Sequence, residues 1–247
     1  PNARMADPAY IKEFGINVIK VGFNHIHSAP ERDEEVPEYS YLVRSTASLS
    51  PEDWVRANLF SVCVQCFHAL GILRYFAIYL FTEKGVGYYD FYTDLLAYIM
   101  DGSGMLHDLW MQFREKYESN LSGEWNYHNP AFGHVTWFFE EGAFLEIVRD
   151  YAAAEALLEP FLVRYAIPEP LYHDLKRYQE VMLRKPFDRA CEVSFDYDLH
   201  AYFSGILNGE YRPLEEKAST LCITPKTVYT DIFEYAKETV WYGRRRG

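Results

Sequence analysis

The longest run of apolar residues in the chain lies between Ser50 and Phe81. Ser50 is placed to accept a hydrogen bond from an early helix amide, and Pro51 occupies a position whose N–H the helix would not use. Asp53 completes the spacing of a capping box. Because apolar side chains then fall on nearly every side, the predicted helix needs packing partners around most of its girth. We therefore predict a mainly α fold, a helical bundle around one long buried helix over residues 50–81.

The first 49 residues have a different pattern. A short helix that ends at Gly15 is followed by a strand-like run, INVIKVG, and Tyr39 to Thr46 forms a second β-rich run after a polar loop. Two strands and their loops carry too little apolar surface to fold alone. We therefore predict that residues 1–49 are the tail of a preceding αβ, barrel-like body, or a linker.

Helical patterns with short connections continue from Tyr88 to about residue 190, which predicts a helical bundle over residues 50–190. Within it, the run from residue 131 to residue 165 is expected to break near Gly142 and to stop or kink at Pro160. From Cys191 the pattern changes to strand, short helix, strand and final helix. Residues 191–247 are therefore predicted to form a small α+β appendage.

Composition narrows the classes of partner. The chain has 247 residues, of which 49% are hydrophobic and 17% aromatic, so it is long and apolar enough to fold as a globular protein. Its net charge of -12 disfavours nucleic acid and anionic membranes as partners. Charged and polar residues interrupt the apolar run, which excludes a membrane span of about 20 residues. No signal peptide is recognisable, and four cysteines in a chain this long, two of them inside the hydrophobic helix, are typical of reduced thiols in the cytoplasm.

The familiar catalytic motifs are absent from the sequence. Cys63 and Cys66 precede His68, but a metal site needs three or four convergent ligands, and the other two cysteines lie over a hundred residues away. No Glu is followed by His three residues later, as a carboxylate-bridged di-iron site requires. Motifs for a hydrolase nucleophile or a nucleotide loop are also missing. We predict no catalytic, cofactor-binding or metal-ligating residue within the chain.

Three residues are candidates for contact with a small-molecule substrate: His25, His27 and Trp125. Alternate residues of an extended segment point the same way, so His25 and His27 can face one site as ligands or proton carriers. The simpler interpretation is a polar loop whose histidines meet water or backbone. Trp125 lies in an aromatic loop that either lines a ligand groove or packs into the core.

The order of several segments resembles a known family. The segments are EYSYLVRSTASLSPEDWVRANLFSVCVQCFHALGILRYFAIYL, then YYDFYTDLL, and later SFDYDLHAYF and FEYAKETVWYGRRRG. Together they resemble the C-terminal region of cobalamin-binding radical SAM proteins. In that family a cobalamin-binding domain and a barrel with an iron–sulfur cluster on a C-x-x-x-C-x-x-C loop precede a helical region. This chain has neither that cluster loop nor the Asp-x-His-x-x-Gly cobalamin motif.

The resemblance implies an accessory, substrate-contacting C-terminal domain that is not catalytic as an isolated fragment. It implies S-adenosylmethionine, a 4Fe-4S cluster and cobalamin for the full-length protein, none of them held within this chain. The partners would be the missing N-terminal domains of the same polypeptide, and residues 1–49 would be the last strand and loop of the barrel. The chain begins at Pro1 without an initiator Met, which favours a piece of a longer protein.

Two alternatives remain open from the residues. One is a free-standing helical enzyme or ligand-binding protein with its own pocket. The other is a helical protein-interaction module whose acidic surface recruits a basic partner. The accessory-domain hypothesis differs from both alternatives because it predicts an exposed apolar face on residues near 10 to 50.

Overall fold

The computed structural model of the protein describes residues 7–22, 26–30, 38–119, 124–183 and 185–243. In chain order, its helices and strands are α1 (Pro8–Glu13), β1 (Asn17–Gly22), β2 (Tyr39–Ser45), α2 (Pro51–Val64), α3 (Arg74–Lys84), α4 (Tyr88–Asp101), α5 (Met105–Ser119), α6 (Phe139–Arg149), α7 (Tyr151–Leu162), α8 (Glu169–Leu183), β3 (Cys191–Phe195), α9 (Leu199–Leu207), β4 (Ser219–Ile223) and α10 (Ile232–Tyr235). The described strands form two antiparallel pairs, β1 with β2 and β3 with β4. The predicted mainly α fold with few strands is confirmed.

The long helix predicted over residues 50–81 is wrong as a single element. Helix α2 passes into a π-helical turn, Gln65–Ala69, and α3 begins only at Arg74, bent by 90° from the preceding helix. Gly71 lies in the break with a φ of 101°, which L side chains rarely adopt. The break occurs because this backbone conformation ends the helical hydrogen bonds at a glycine.

The described helices were also compared with the requirements of a membrane span. None of them alone is both long enough and apolar enough to cross a membrane. Helix α2 with its π-helical turn and helix α3 meet the requirement only when they are taken together across the 90° bend.

The chain divides into two compact units. The first comprises Pro1–Val64 and Leu96–Ala143, and the second comprises Gln65–Leu95 and Phe144–Gly247. The division predicted at residues 49 and 190 stays a prediction.

In the first unit, α2 packs on β2 and α5 through one buried side, while its opposite side faces solvent. The start of α2 agrees with the prediction. The Ser50 hydroxyl accepts from the Asp53 amide at 3.0 Å and donates to the Asp53 carboxylate at 2.8 Å. This cap places α2 directly after the β1–β2 hairpin.

In the second unit, α3 is the enclosed element, since every residue from Tyr75 to Leu80 is buried. It packs on α8, which also contacts α9. The bonds that the helix break frees are satisfied from α8 by Gln179, which is 1% exposed. Its side chain accepts from the Tyr75 amide at 3.0 Å and donates to the Gly71 carbonyl at 2.5 Å.

The break predicted near Gly142 is also wrong. Helix α6 runs through Gly142, and the break falls at Asp150, whose carboxylate accepts from the Ala153 amide at 3.3 Å. A Cβ at Gly142 would lie 2.3 Å from a ring carbon of Tyr127. The glycine is therefore required by a close side-chain approach. Helix α7 continues through Pro160 and ends two residues later, at Leu162.

Candidate functional site

His27 lies in the connection between β1 and β2, on a backbone with a φ of 62°. Its amide donates to the Thr136 carbonyl at 2.8 Å, and the Thr136 amide donates to the Ser28 carbonyl at 2.9 Å. A non-glycine residue in the left-handed region is uncommon and persists where its surroundings hold it. The two backbone bonds fix the position of the imidazole. His25 lies outside the described residues.

The His27 side chain forms a pair with a carboxylate from the start of α6. Its Nε2 lies 2.9 Å from Oε2 of Glu141, and the two side chains are only 15% and 13% exposed. The same Oε2 accepts from the Phe138 amide at 3.1 Å, so Glu141 also caps the helix start. A carboxylate that holds one imidazole nitrogen fixes the orientation of the ring. The arrangement is suited to holding or moving a proton at the imidazole.

Aromatic rings border this pair. The ring of Trp137 lies edge-on to His27 at 5.0 Å, and that of Phe138 lies at 6.3 Å. Trp137 is completely buried, whereas Phe138 is 45% exposed. The imidazole therefore has an apolar wall on one side and an exposed aromatic ring beside it.

Glu140, next to Glu141, has a pKa that is raised above the usual value. Burial is the main cause, and the nearby Glu141 carboxylate adds to it, while a backbone hydrogen bond acts in the opposite direction. The pair of adjacent carboxyl groups thus has one member whose charged form is disfavoured by its surroundings.

Trp125 belongs to a different neighbourhood, which we call the aromatic cluster: Trp54, Tyr117, Trp125 and Phe139. Ring centroids of Trp125 lie 5.2 Å from Trp54 and 5.8 Å from Tyr117, and Tyr117 contacts Phe139 at 5.1 Å. The guanidinium of Arg44 lies 4.5 Å from the Trp54 ring centroid and donates to the Tyr117 carbonyl at 2.8 Å. These contacts tie the β1–β2 hairpin to α2 and α5. They give Trp125 a packing role, and its use in substrate contact stays a prediction.

The loop that carries Trp125 is fastened at several points. Tyr127 and Trp137 exchange two backbone hydrogen bonds of 2.8 Å, and the Lys116 ammonium donates to the Asn126 carbonyl at 2.5 Å. Nε2 of His128 is buried and finds no hydrogen-bond partner among the described residues. These bonds fasten residues 126–137 to one another and to α5.

The outward face of the β1–β2 hairpin carries exposed apolar side chains beside Lys20. In an antiparallel pair, opposed residues point to the same side, so the register places Val18 with Val43 and Lys20 with Tyr41 on one face. Val21 and Arg44, on the other face, are 4% and 8% exposed. On the outward face, by contrast, Val18 is 37% and Tyr41 is 68% exposed. A sheet face in contact with water is normally more polar than this one.

Exposed apolar residues continue around this hairpin. Tyr39 is 51% exposed with the Lys20 ammonium 3.8 Å from its ring centroid, Leu42 is 38% exposed and Phe14 is 45% exposed. Helix α1 buries none of its residues. Among the described residues between 10 and 50, exposed apolar side chains are therefore present, as the accessory-domain hypothesis predicted.

Comparisons with known proteins bear on what this face is for. No family model matches the chain. The chain is 23% identical over 255 residues to the cobalamin-dependent radical SAM methyltransferase TokK of Streptomyces tokunonensis. This alignment covers 87% of this chain and 37% of that protein. The chain is also 23% identical over 236 residues to 2-(S-pantetheinyl)-carbapenam-3-carboxylate methyltransferase of Streptantibioticus cattleyicolor. This second alignment covers 86% of this chain and 34% of that protein.

The chain resembles cobalamin-dependent radical SAM methyltransferases. At 23% identity the likeness is one of family, and the resemblance stated from the sequence is confirmed at that level. The chain spans about a third of the length of these curated relatives, since it covers 37% and 34% of them.

The cofactors that these relatives imply need ligands that the described residues do not bring together. In the described ranges, no group of three or more His, Cys, Asp and Glu side chains could hold a metal ion. Cys63 and Cys66 are completely buried, and burial raises the pKa of the Cys63 thiol far above its usual value. These thiols do not fit as ligands of an iron–sulfur cluster, and we assign no step of radical chemistry to them.

The helix break of the second unit was not predicted from the sequence. Arg74, Gly71 and Gln179 were not singled out, although the structure joins them around one backbone break. An isolated glycine inside a helical pattern, Gly71, was the available signal.

Proposed function

We propose that this chain is an accessory, substrate-contacting region of a cobalamin-dependent radical SAM methyltransferase. The observation that carries the proposal is the match of 86–87% of the chain to two enzymes of that description, together with an exposed apolar hairpin face. S-adenosylmethionine, the 4Fe-4S cluster and cobalamin would be held by parts of the polypeptide that this chain does not span. The enzyme would act in the cytoplasm.

The hairpin face is proposed to pack on the barrel of the same polypeptide. The relatives have about two thirds of their length outside the matched region, which leaves enough chain for further domains. Both strands of a two-stranded sheet have an unpaired edge, which is a template for further strands. An apolar face with open edges fits against an αβ body better than against water.

The pair of His27 and Glu141 gives this region a role towards the substrate. The connection that carries His27 leaves the hairpin, so an imidazole fixed by Glu141 would lie beside the proposed junction with the barrel. There it would hold a polar group of the substrate or accept a proton from it. The surrounding apolar rings, Trp137 and Phe138, would help to exclude water from reactive intermediates. The substrate is proposed to be a small organic molecule, as it is for the carbapenam methyltransferase named above.

The DNA on the 5′ side of the codon for Pro1 tests the proposal. We expect a continuous reading frame that encodes C-x-x-x-C-x-x-C, the loop that holds the cluster in this family. A stop codon in frame just upstream, with a start codon for this chain alone, would overturn the proposal. The complete polypeptide, purified without oxygen, is then expected to show the visible absorption of a 4Fe-4S cluster and to bind cobalamin.

A further inference from the structure

The second unit contains a cleft of about 1070 Å³. One wall is the helix break and the start of α3, with Gly71, Arg74 and Tyr75. A second wall is the end of α8 and the segment up to Cys191. The third wall runs from Ile223 to the turn that follows α10. Small-molecule sites commonly have volumes of about 300–1000 Å³, so the cleft has room for one organic ligand.

Arg74 is held rigidly in the first wall. Its Nε donates to the His68 carbonyl at 2.9 Å, and its Nη2 donates to the Ala69 carbonyl. These carbonyls end the π-helical turn that the break leaves open, so the same arginine caps that turn. Two bonds to fixed backbone atoms orient the guanidinium before any ligand arrives.

Among the described residues, no carboxylate is paired with the Arg74 guanidinium. Its hydrogen bonds go to two carbonyl groups, and no ion pair with an acidic side chain is found in the residues that the structure describes. A Cβ on Gly71 would lie 4.0 Å from the guanidinium, so the glycine leaves this group uncovered by a side chain. Arg74 is also the first residue of α3, where the positive end of the helix dipole adds to its charge.

The other charges of the lining leave the cleft slightly positive. Four basic and three acidic residues line it, in a chain whose net charge is -12. Glu180 is paired with the Lys185 ammonium, and the Asp188 carboxylate accepts from the Lys185 amide at 2.6 Å with a pKa raised by burial. The remaining cations, Arg189 and Lys226, are exposed at the rim. With Glu238 as the third acidic residue, the lining has one more basic than acidic side chain.

The apolar part of the lining is largely aromatic. Tyr75 and Tyr235 are 7% and 3% exposed and form the buried part of the lining, whereas Tyr242 is 46% exposed. The rings of Tyr229 and Tyr235 meet edge to face at 5.5 Å. The faces of tyrosine rings pack well against the flat or apolar part of a ligand, and the tyrosine hydroxyls can hydrogen-bond to its polar groups.

We propose that this cleft binds a small organic anion, whose carboxylate or phosphate pairs with Arg74 and whose apolar body lies against the tyrosines. A guanidinium fixed by two carbonyls matches the planar, two-oxygen geometry of either group. The inference does not depend on the methyltransferase proposal, because it uses only residues of the second unit.

Titration calorimetry of the 247-residue chain tests the site with three probes: phenyl phosphate, 3-phenylpropanoate and the neutral 3-phenylpropanamide. We expect both anions to bind saturably and the amide to bind about tenfold more weakly or worse, because it lacks the charge-assisted bonds. A preference for phenyl phosphate would identify a phosphate ester as the ligand, and equal or better binding of 3-phenylpropanoate would identify a carboxylate. The proposal is overturned if the amide binds as well as the anions, or if neither anion saturates.

Variants locate the site. Arg74→Gln is expected to weaken anion binding about 10-fold to 100-fold and to leave amide binding unchanged. The matched control is Arg177→Gln, an exposed arginine on α8 that does not line the cleft and whose loss should change nothing. Because Arg74 also caps the π-helical turn, circular dichroism must show that its variant is folded. If it is not, the comparison of the three probes on the parent chain decides, since an amide that binds as well as the anions would contradict the site.

Discussion

Gly142 on α6 has no side chain, and this allows the loop that carries Tyr127 to pack closely against the helix. Tyr127 is 7% exposed, and its ring carbons occupy the space that any Cβ at residue 142 would need. Three atoms of Tyr127, including its own Cβ, lie within 2.8 Å of that position. Because those atoms are close to the Tyr127 backbone, they cannot move aside without moving the loop.

Gly142→Ala is therefore expected to destabilise the protein. Alanine favours a helix interior by about 1 kcal/mol over glycine. The overpacking at Tyr127 should cost more, leaving a net loss of about 1–3 kcal/mol in the free energy of unfolding. Urea denaturation measures it. Thr93→Ala on α4, an exposed helix position, is the control and should leave stability unchanged or slightly raised. A gain in stability for Gly142→Ala would contradict the close contact.

Glu140 gives a prediction about pH. Its folded-state pKa is raised, mainly by burial, so the folded protein binds its proton more tightly than the unfolded chain does. The folded state is thus favoured below the unfolded pKa of 4.5, and this contribution is lost as the pH rises through the raised pKa. Glu140→Gln should remove the loss, so the stability of the variant relative to the parent should increase as the pH rises above 4.5.

Urea denaturation of both proteins at several pH values checks this expectation. The exposed Glu115→Gln on α5 serves as the control. A difference between Glu140→Gln and the parent that stays constant with pH would show that burial does not disfavour the charged carboxylate.

At the scale of elements, the break between α2 and α3 is the feature on which the second unit depends. The backbone groups freed by the break are satisfied by two side chains, Arg74 from α3 and Gln179 from α8. Buried backbone groups without such partners would cost about 1–3 kcal/mol each. The break is therefore built into the packing of α8 on α3.

A pair of glycine variants tests the break. Gly71 has a φ of 101°, outside the left-handed helical region, whereas Gly85, which caps α3, has a φ of 67° with open space around its Cα. Asparagine tolerates the second conformation but not the first. Gly71→Asn should therefore cost about 1–3 kcal/mol of stability. Gly85→Asn should cost much less, and equal losses in urea denaturation would show that the conformation of Gly71 is not required.

At the scale of the whole molecule, the β1–β2 hairpin is the element that presents exposed apolar side chains on one of its two faces. Its inner face is tied down through Arg44 and Val21, and its outer face presents Val18 and Tyr41 to solvent. A two-stranded hairpin is at best marginally stable alone, so its inner contacts with α2 hold it in place. On the outer face, the contact of the Lys20 ammonium with the Tyr39 ring does not involve Val18 or Tyr41.

Charged substitutions on that outer face should leave the stability of the 247-residue chain almost unchanged and should weaken the proposed packing of the hairpin in the complete polypeptide. Val18→Lys with Tyr41→Lys should alter the free energy of unfolding of the 247-residue chain by no more than about 0.5 kcal/mol. The same change should lower the binding of a hydrophobic dye, and in the complete polypeptide it should weaken the packing that protects the hairpin amides from hydrogen exchange. A large loss of stability in the short chain would mean that the face is already covered there.

The local pattern alone determined the cap at Ser50, the paired strands at each end and the mainly α content, since each depends on neighbouring residues. The resemblance to the methyltransferases also came from segment order. Tertiary structure decided the rest. The turn at Gly71, the role of Gly142 and the pairing of His27 with Glu141 depend on side chains 15 to 114 residues away, such as Gln179 and Tyr127. A cleft whose walls come from three distant segments exists only once packing has joined them.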